Sequence, residues 1–181
     1  MSFYSIAQFS VGIKLSGLAY HPQTELNETI YKWKLDKKGK FVSFIAVSFM
    51  IDYRFNNYLG VKTTHTIMPY DCAGKLAFVS HIGINFQDRI VGWENEVHRF
   101  SSSFGPLLYY RKGWLTIKGY EREETFIKAT KNEKWEYKFV WYGAQFQYDY
   151  FFKSKQAISI NLFPGYPYIY SFAVGNKFVI E

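Results

Sequence analysis

Short segments in which apolar and polar side chains alternate recur along the whole chain, and none of the apolar stretches approaches the ~18 uninterrupted residues of a spanning helix. Strict alternation sorts side chains onto two faces, because successive Cβ atoms of a strand point to opposite sides of a sheet. Such a chain builds sheet. If it also crosses a membrane, the sheet has to close into a barrel, where every backbone N–H and C=O finds a partner inside the protein.

The parity can be followed from end to end. Over residues 8–15, Phe9, Val11, Ile13 and Leu15 alternate with Gln8, Ser10, Gly12 and Lys14. Over residues 41–55, Phe41, Ile45, Val47, Phe49, Ile51, Tyr53 and Phe55 oppose Ala46, Ser48, Asp52 and Arg54. Asn56-Asn57 then predicts a tight turn, since asparagine tolerates positive φ. A third segment sets Leu59, Val61, Thr63, His65 and Ile67 against Gly60, Lys62, Thr64 and Thr66. A fourth, after a loop at residues 69–75, sets Leu76, Phe78, Ser80, Ile82, Ile84 and Phe86 against His81, Gly83 and Asn85.

Beyond residues 87–97, Phe100, Ser102, Phe104, Pro106, Leu108 and Tyr110 face away from Ser101, Ser103, Gly105 and Arg111. Pro106 cannot donate to a ladder and predicts a bulge or an interrupted pairing. Residues 112–134 are rich in charge and read as a long loop, with a hairpin of its own around residues 114–120. The sixth segment, residues 135–151, alternates clearly only where Ala144, Phe146, Tyr148 and Tyr150 oppose Gln145, Gln147 and Asp149; its first half is expected to project beyond the membrane. Two further segments carry Ile158, Ile160 and Leu162 against Ser159 and Asn161, then Phe172, Val174, Phe178 and Ile180 against Ser171, Ala173, Gly175 and Lys177. The total is about eight, an even number that leaves both ends on one side.

Composition agrees with lipid on the apolar side. Aromatic residues make up 22% of the 181 residues while the hydrophobic fraction is 48%, the balance expected of aromatic girdles around a wall with a polar interior. Connections after the second and sixth segments are short and those after the first and fifth are long, as in barrels with short periplasmic turns and longer extracellular loops. The expected fold is an all-β, closed, antiparallel up-and-down transmembrane β-barrel of about eight strands, one domain over residues 8–181, in a bacterial outer membrane. Ser5-Ile6-Ala7 before Gln8 has the small-x-small pattern of a signal-peptidase site, so residues 1–7 read as the remnant of a signal peptide.

The net charge of +7 is scattered and falls partly in turns, which suits anionic headgroups and lipopolysaccharide phosphates and argues against a nucleic-acid partner. Cys72 is the single cysteine, and His21, His65, His81 and His98 do not fall at metal-ligand spacings, so no metal is expected. Nor does a glycine-rich phosphate loop open a helix, and no cofactor is expected.

The Ser5-Ile6-Ala7-Gln8 site, the alternating wall and the amphipathic terminal segment at residues 171–180, which is similar to the β-signal read by the barrel-assembly machinery, together resemble the small outer-membrane β-barrel proteins of Bacteroidota. The likeness covers nearly the whole mature chain but marks architecture, not one activity. The chain departs from the usual β-signal by ending Phe178-Val179-Ile180-Glu181 instead of on an aromatic residue.

Two groups of residues are candidates for a site. Lys14, Asp52, Arg54, Lys62, His81, Arg111, Asp149 and Lys177, with Asn85, Gln145 and Gln147, are expected inside, where an eight-stranded barrel has room only for its own side chains and charges have to be paired. On the lipid-facing side, parity places His65 opposite Ser80, the pair that a lipid A deacylase or acyltransferase of the small-barrel kind would use as general base and nucleophile. No Asp or Glu on an adjacent outward face orients that histidine. The sequence favours a non-catalytic structural or accessory barrel, a subunit of a larger outer-membrane assembly that meets other outer-membrane proteins through loops 20–40 and 112–134. A lipid A-modifying enzyme and a soluble lipocalin-like carrier, whose wall would be inverted, stand as alternatives.

Overall fold

The computed structural model describes residues 8–22, 32–87, 97–118, 120, 127–128, 134–165 and 169–180. The chain forms a closed antiparallel barrel of eight wall strands: β1 (Gln8–Tyr20), β2 (Phe41–Arg54), β3 (Leu59–Tyr70), β4 (Ala77–Gln87), β5 (His98–Lys112), β7 (Trp135–Lys153), β8 (Gln156–Gly165) and β9 (Ile169–Ile180). A two-residue strand, β6 (Ile127–Lys128), pairs with β7 on the edge that β8 takes further along the strand. Sequence neighbours pair around the wall, β1 pairs with β9, and β5 pairs with β7 to close it. Residues 1–7, read above as a processing remnant, lie outside the described residues, as do residues 23–31, 121–126 and 129–133 of the two long loops.

The wall is apolar outside. On β2 the alternation is unbroken: Phe41, Ile45, Phe49, Ile51 and Tyr53 are exposed, and every even-numbered side chain from Val42 to Arg54 is buried. Ile13, Leu15, Ile82, Ile84, Ile158 and Val174 continue the exposed apolar face around the ring. An inverted wall, which a lipocalin-like carrier requires, is not what the chain builds. Rings gather toward both ends of the strands, with Tyr20 against Phe41 at 4.8 Å at one end and Tyr53 against Phe55 at 5.4 Å at the other. The turn at residues 55–58 is held by Asn56, whose Oδ1 accepts from the amides of Tyr58 (2.8 Å) and Leu59 (2.9 Å). This end also holds the turn between β7 and β8, the start of β1 and the end of β9; the loops after β1 and β5 leave from the opposite end, as the longer loops of outer-membrane barrels do.

Four register shifts interrupt the ladders, three within the wall and one beside the β7–β8 turn between Phe151 and Lys153. In β1 the register slips between Ser16 and Leu18, so that Gly17 and Leu18 are both exposed and Ala19 turns inward. In β7 the register against β5 slips where Gly105 faces Gly143 and Leu107 faces Val140. Pro106 lies at that slip, as its missing N–H predicts, and Trp141 and Tyr142 both point outward. The first half of β7 is therefore as regular as the second: Glu136, Lys138 and Val140 face in before the bulge, and Gly143, Gln145, Gln147 and Asp149 face in after it. The third slip, between Ile45 and Val47 against β3, frees Pro69 from the ladder. Among the described residues around 114–120 no hairpin forms; Gly113, in the left-handed region at φ 77°, opens a 3-10 turn, Trp114–Thr116.

Candidate functional site

The half of the lumen nearer the turn at residues 55–58 is filled by a network that reaches from wall to wall. Lys177 on β9 donates to Asp52 Oδ2 on β2 (3.0 Å) and Asp149 Oδ2 on β7 (2.9 Å). Asn85 on β4 donates to Asp52 Oδ1 (2.9 Å), and Gln147 Nε2 (2.6 Å) and Ser159 Oγ donate to Asp149 Oδ1. Lys14 on β1 reaches Gln147 Oε1 (2.8 Å) and Asn161 Oδ1 (2.6 Å), while Lys62 on β3 reaches Ser101 Oγ (3.1 Å). Lys14, Lys62, Lys177, Asp52 and Asp149 are all buried. In a low-dielectric interior such charges persist only with partners of this quality. Higher up, Thr64 Oγ1 donates to Gln145 Oε1 across the lumen (3.0 Å).

The other interior candidates surround this network, with Arg54 close enough for its charge to act on Asp52 and Lys62. Arg54 is buried at the end of β2 beside the turn at residues 55–58. His81 is buried against Gly83 and Gly143, where an added Cβ would come within 2.8 Å and 2.9 Å of the imidazole; these glycines make room for the ring, which meets Phe163 edge-on at 5.7 Å. Arg111 belongs to the opposite end, from which the loops after β1 and β5 leave. Its Nε donates to Glu136 Oε2 (2.9 Å), its guanidinium lies 4.1 Å from the centre of the Trp114 ring, and it reaches the Tyr120 hydroxyl. Trp114 Nε1 in turn donates to Asp71 Oδ2 (2.6 Å), and Asp71 Oδ1 accepts from the amides of Ala73 (3.0 Å) and Lys75 (2.8 Å). Burial pushes the Asp71 carboxyl up from its ordinary range, against the pull of those hydrogen bonds. Burial likewise raises the Cys72 thiol and lowers His21 to about 4.

Between the polar network and this rim the lumen is not filled. A cavity of about 140 Å³ is walled by Val42, Phe44, Leu107, Val140, Phe163 and Ala173, floored by Ser48, Thr64, Gln145 and Asn161, and rimmed by His21, Asp71, Cys72 and Lys138. The expectation that side chains alone occupy the interior holds below Gln145 and fails above it. Residues that the alternation pattern passed over, apolar ones facing inward on β2, β5 and β7, line this space. Their signal in the sequence is a stretch in which both faces of a strand are apolar, as at residues 41–47.

On the outer face, β3 and β4 pair His65 directly with Ser80, and Nδ1 lies 3.1 Å from Oγ. Phe49 flanks the histidine on β2 and Leu108 flanks the serine on β5. Among the described residues no carboxylate touches the imidazole, so the pair satisfies itself within an apolar wall, which lowers the cost of placing two polar groups there.

No protein-family model and no curated protein matches the chain. Solved structures do. The crystal structure of Ail, the attachment invasion locus protein of Yersinia pestis, is matched with a TM-score of 0.52 at 13% identity, over 96% of this chain and 97% of that one. Ail in complex with the heparin analogue sucrose octasulfate is matched with a TM-score of 0.50 at 12% identity over the same shares. The outer membrane protein OprG of Pseudomonas aeruginosa is matched with a TM-score of 0.50 at 8% identity, over 99% of this chain and 98% of that one. At such identities the likeness is one of fold: the chain is an eight-stranded antiparallel barrel of the kind that outer-membrane proteins adopt.

Proposed function

We propose that this chain is an integral protein of a bacterial outer membrane with a structural or accessory role, a subunit of a larger outer-membrane assembly that it meets through its extracellular loops. The observation that carries this reading is the buried Lys177–Asp52–Asp149 network, which ties β9, β2 and β7 together across the lumen beneath an exposed apolar wall. A barrel closed in this way is a rigid platform, not a water-filled channel, and recognition is left to the loops it holds. The resemblance of residues 5–8 and 171–180 to Bacteroidota barrels supports an exported protein of that group, although the matched structures come from Yersinia pestis and Pseudomonas aeruginosa. Contact with lipopolysaccharide phosphates fits the net charge of +7, and Ail, of the same fold, has been crystallised with a polysulfated sugar.

The test has two parts. The protein is expected in the detergent-extracted outer-membrane fraction, silent in planar bilayers, and recovered with a defined companion after cross-linking in intact cells. Discrete conductance steps, or recovery as a monomer alone after efficient cross-linking, would overturn the proposal. A second reading, a lipid A acyl hydrolase or acyltransferase, is favoured by the 3.1 Å His65–Ser80 contact. Mass spectrometry of lipid A from cells overproducing the protein or its Ser80→Ala variant decides it: an acylation change that Ser80→Ala abolishes would establish the enzyme.

A further inference from the structure

Three glycines meet where β4, β5 and β7 run side by side. Gly105 is the register partner of Gly143, and a Cβ added to Gly105 would lie 2.7 Å from Gly83 Cα, so the three bring neighbouring backbones close together. Gly83 and Gly143 face inward, where the lack of a side chain hollows the lumen wall. Across the next ladder, on β3, the register partner of Gly83 is Lys62, whose side chain is fully buried. The hollow therefore adjoins an ammonium group.

Two more polar groups converge on the hollow. A Cβ at Gly83 would meet Ser103 Oγ and, at 2.8 Å, His81 Cε1, while one at Gly143 would meet His81 Cδ2 at 2.9 Å. His81 and Ser103 are fully buried. Neither the hydroxyl nor either ring nitrogen meets a hydrogen-bond partner at good geometry, although the Gly143 backbone lies beside the ring. Lys62 Nζ has one partner, Ser101 Oγ (3.1 Å), which leaves two of its three donors unspent. Its charge reaches the His81 ring. A hydroxyl, an ammonium and an imidazole N–H are all donors, and the group that suits the three together is an anion.

The charge balance points the same way. Lys14, Lys62 and Lys177 are buried together with Asp52 and Asp149, three ammonium groups to two carboxylates. Lys177 takes one oxygen of each acid, and Asn85, Gln147 and Ser159 take the others. Asp52 is near enough to act on Lys62 but forms no ion pair with it, and the Arg54 charge adds to that of the lysine. Positive charge in excess within a low-dielectric interior calls for a counter-ion. We propose that Lys62, Ser103 and His81 hold one monatomic anion, chloride in the cell, beside the glycine hollow. A single ion suits the place, because one added carbon there would already touch both the hydroxyl and the ring. The ion gives Lys62 the negative partner that Lys177 finds in Asp52 and Asp149. The site is independent of whatever the loops of the platform meet.

Bromide is the probe, since it stands in for chloride and scatters X-rays anomalously. The full chain, folded in detergent, is crystallised from sodium bromide, and an anomalous peak is expected within hydrogen-bond reach of Lys62 Nζ and Ser103 Oγ. In phosphatidylcholine vesicles the urea midpoint is followed at fixed ionic strength as bromide replaces gluconate. A ligand that binds only the folded barrel raises that midpoint, so a saturable rise is expected, opposite to the general weakening that bromide exerts on proteins. Lys62→Met is expected to lose the rise, and Ser103→Ala to lose most of it should Lys62→Met fail to fold. Lys153→Met, at the exposed turn between β7 and β8, is expected to keep it. An adventitious ion only, with peaks confined to exposed lysines, would overturn the site. So would density beside Lys62 without an anomalous signal, which is ordered water, a midpoint indifferent to bromide, or a rise that survives in Lys62→Met. None of these results touches the outer-membrane reading, which fails instead if the protein is missing from the outer-membrane fraction.

Discussion

Lys177→Met removes the cation on which the interior network turns, and its cost can be worked from the contacts. Lys177 holds two carboxylates at 3.0 Å and 2.9 Å, and a hydrogen bond to a charged group is worth about 1.5–3 kcal/mol. The loss of both, about 3–6 kcal/mol, agrees with the ~3–5 kcal/mol typical of removing one partner from a buried ion pair. Lys14 supplies the internal control. It is equally buried, but its contacts are Gln147 Oε1, Asn161 Oδ1 and Met50 Sδ, all neutral, so Lys14→Met strands acceptors instead of charges and is expected to cost at most about 1–2 kcal/mol. Urea unfolding in lipid vesicles, followed by tryptophan fluorescence and by the gel shift of the folded form, measures both. The double variant Lys177→Met/Asp52→Asn should recover part of the loss, because one stranded carboxylate has gone. Equal costs for Lys177→Met and Lys14→Met, or a Lys177→Met cost below about 1 kcal/mol, would refute the assignment of Lys177 as the centre of the network.

Gly175→Val should prevent closure, because a side chain there meets the Ile13 carbonyl and Lys14 Cα at the β1–β9 junction; the check is whether any heat-modifiable folded band appears on a gel. Stability should fall as the pH drops from about 6.5 to about 4, since burial holds His21 at about 4 in the folded barrel while the unfolded chain already takes up its proton near 6.5. Above that window His21 contributes no slope, and His21→Gln should flatten the urea midpoint measured across it. Trp114→Phe keeps the ring beneath Arg111 but deletes the indole N–H donated to Asp71, a loss of about 1.5–3 kcal/mol that should appear as faster proteolysis at residues 71–76 and 113–118, with the transmembrane wall unchanged.

What the sequence revealed depended on whether a strand ran without a bulge. β2, β4 and β9 keep one parity throughout, so Asp52, His81, Asn85 and Lys177 could be placed inside from spacing alone, and His65 opposite Ser80 from the turn between their strands. β1 beyond Ser16 and the first half of β7 were opaque, because one extra residue at Gly17 or at Trp141–Tyr142 exchanges the two faces and erases the alternation when a segment is read whole. The division of the interior was hidden for another reason. Arg111 on β5 meets Glu136 on β7 and Trp114 just past its own strand, and Trp114 reaches Asp71, 43 residues earlier, so nothing local in any of these segments announces the others. The cavity leaves no mark in the sequence because Val42, Phe44 and Val140 are apolar like their outward neighbours, so which side they face is decided by register and not by residue type.

The members of the Lys177 cluster come from opposite ends of the polypeptide. Asp52 is placed by the second strand, Asp149 by the seventh, and their shared ammonium is delivered by the ninth, hydrogen-bonded to the strand that began the chain. Until the C-terminal strand docks on the N-terminal one, two acids wait in the half-built sheet without their counter-ion. Zipping the last edge and neutralising the middle are thus a single event, so a truncated or stalled chain has no halfway state in which its charges are at rest.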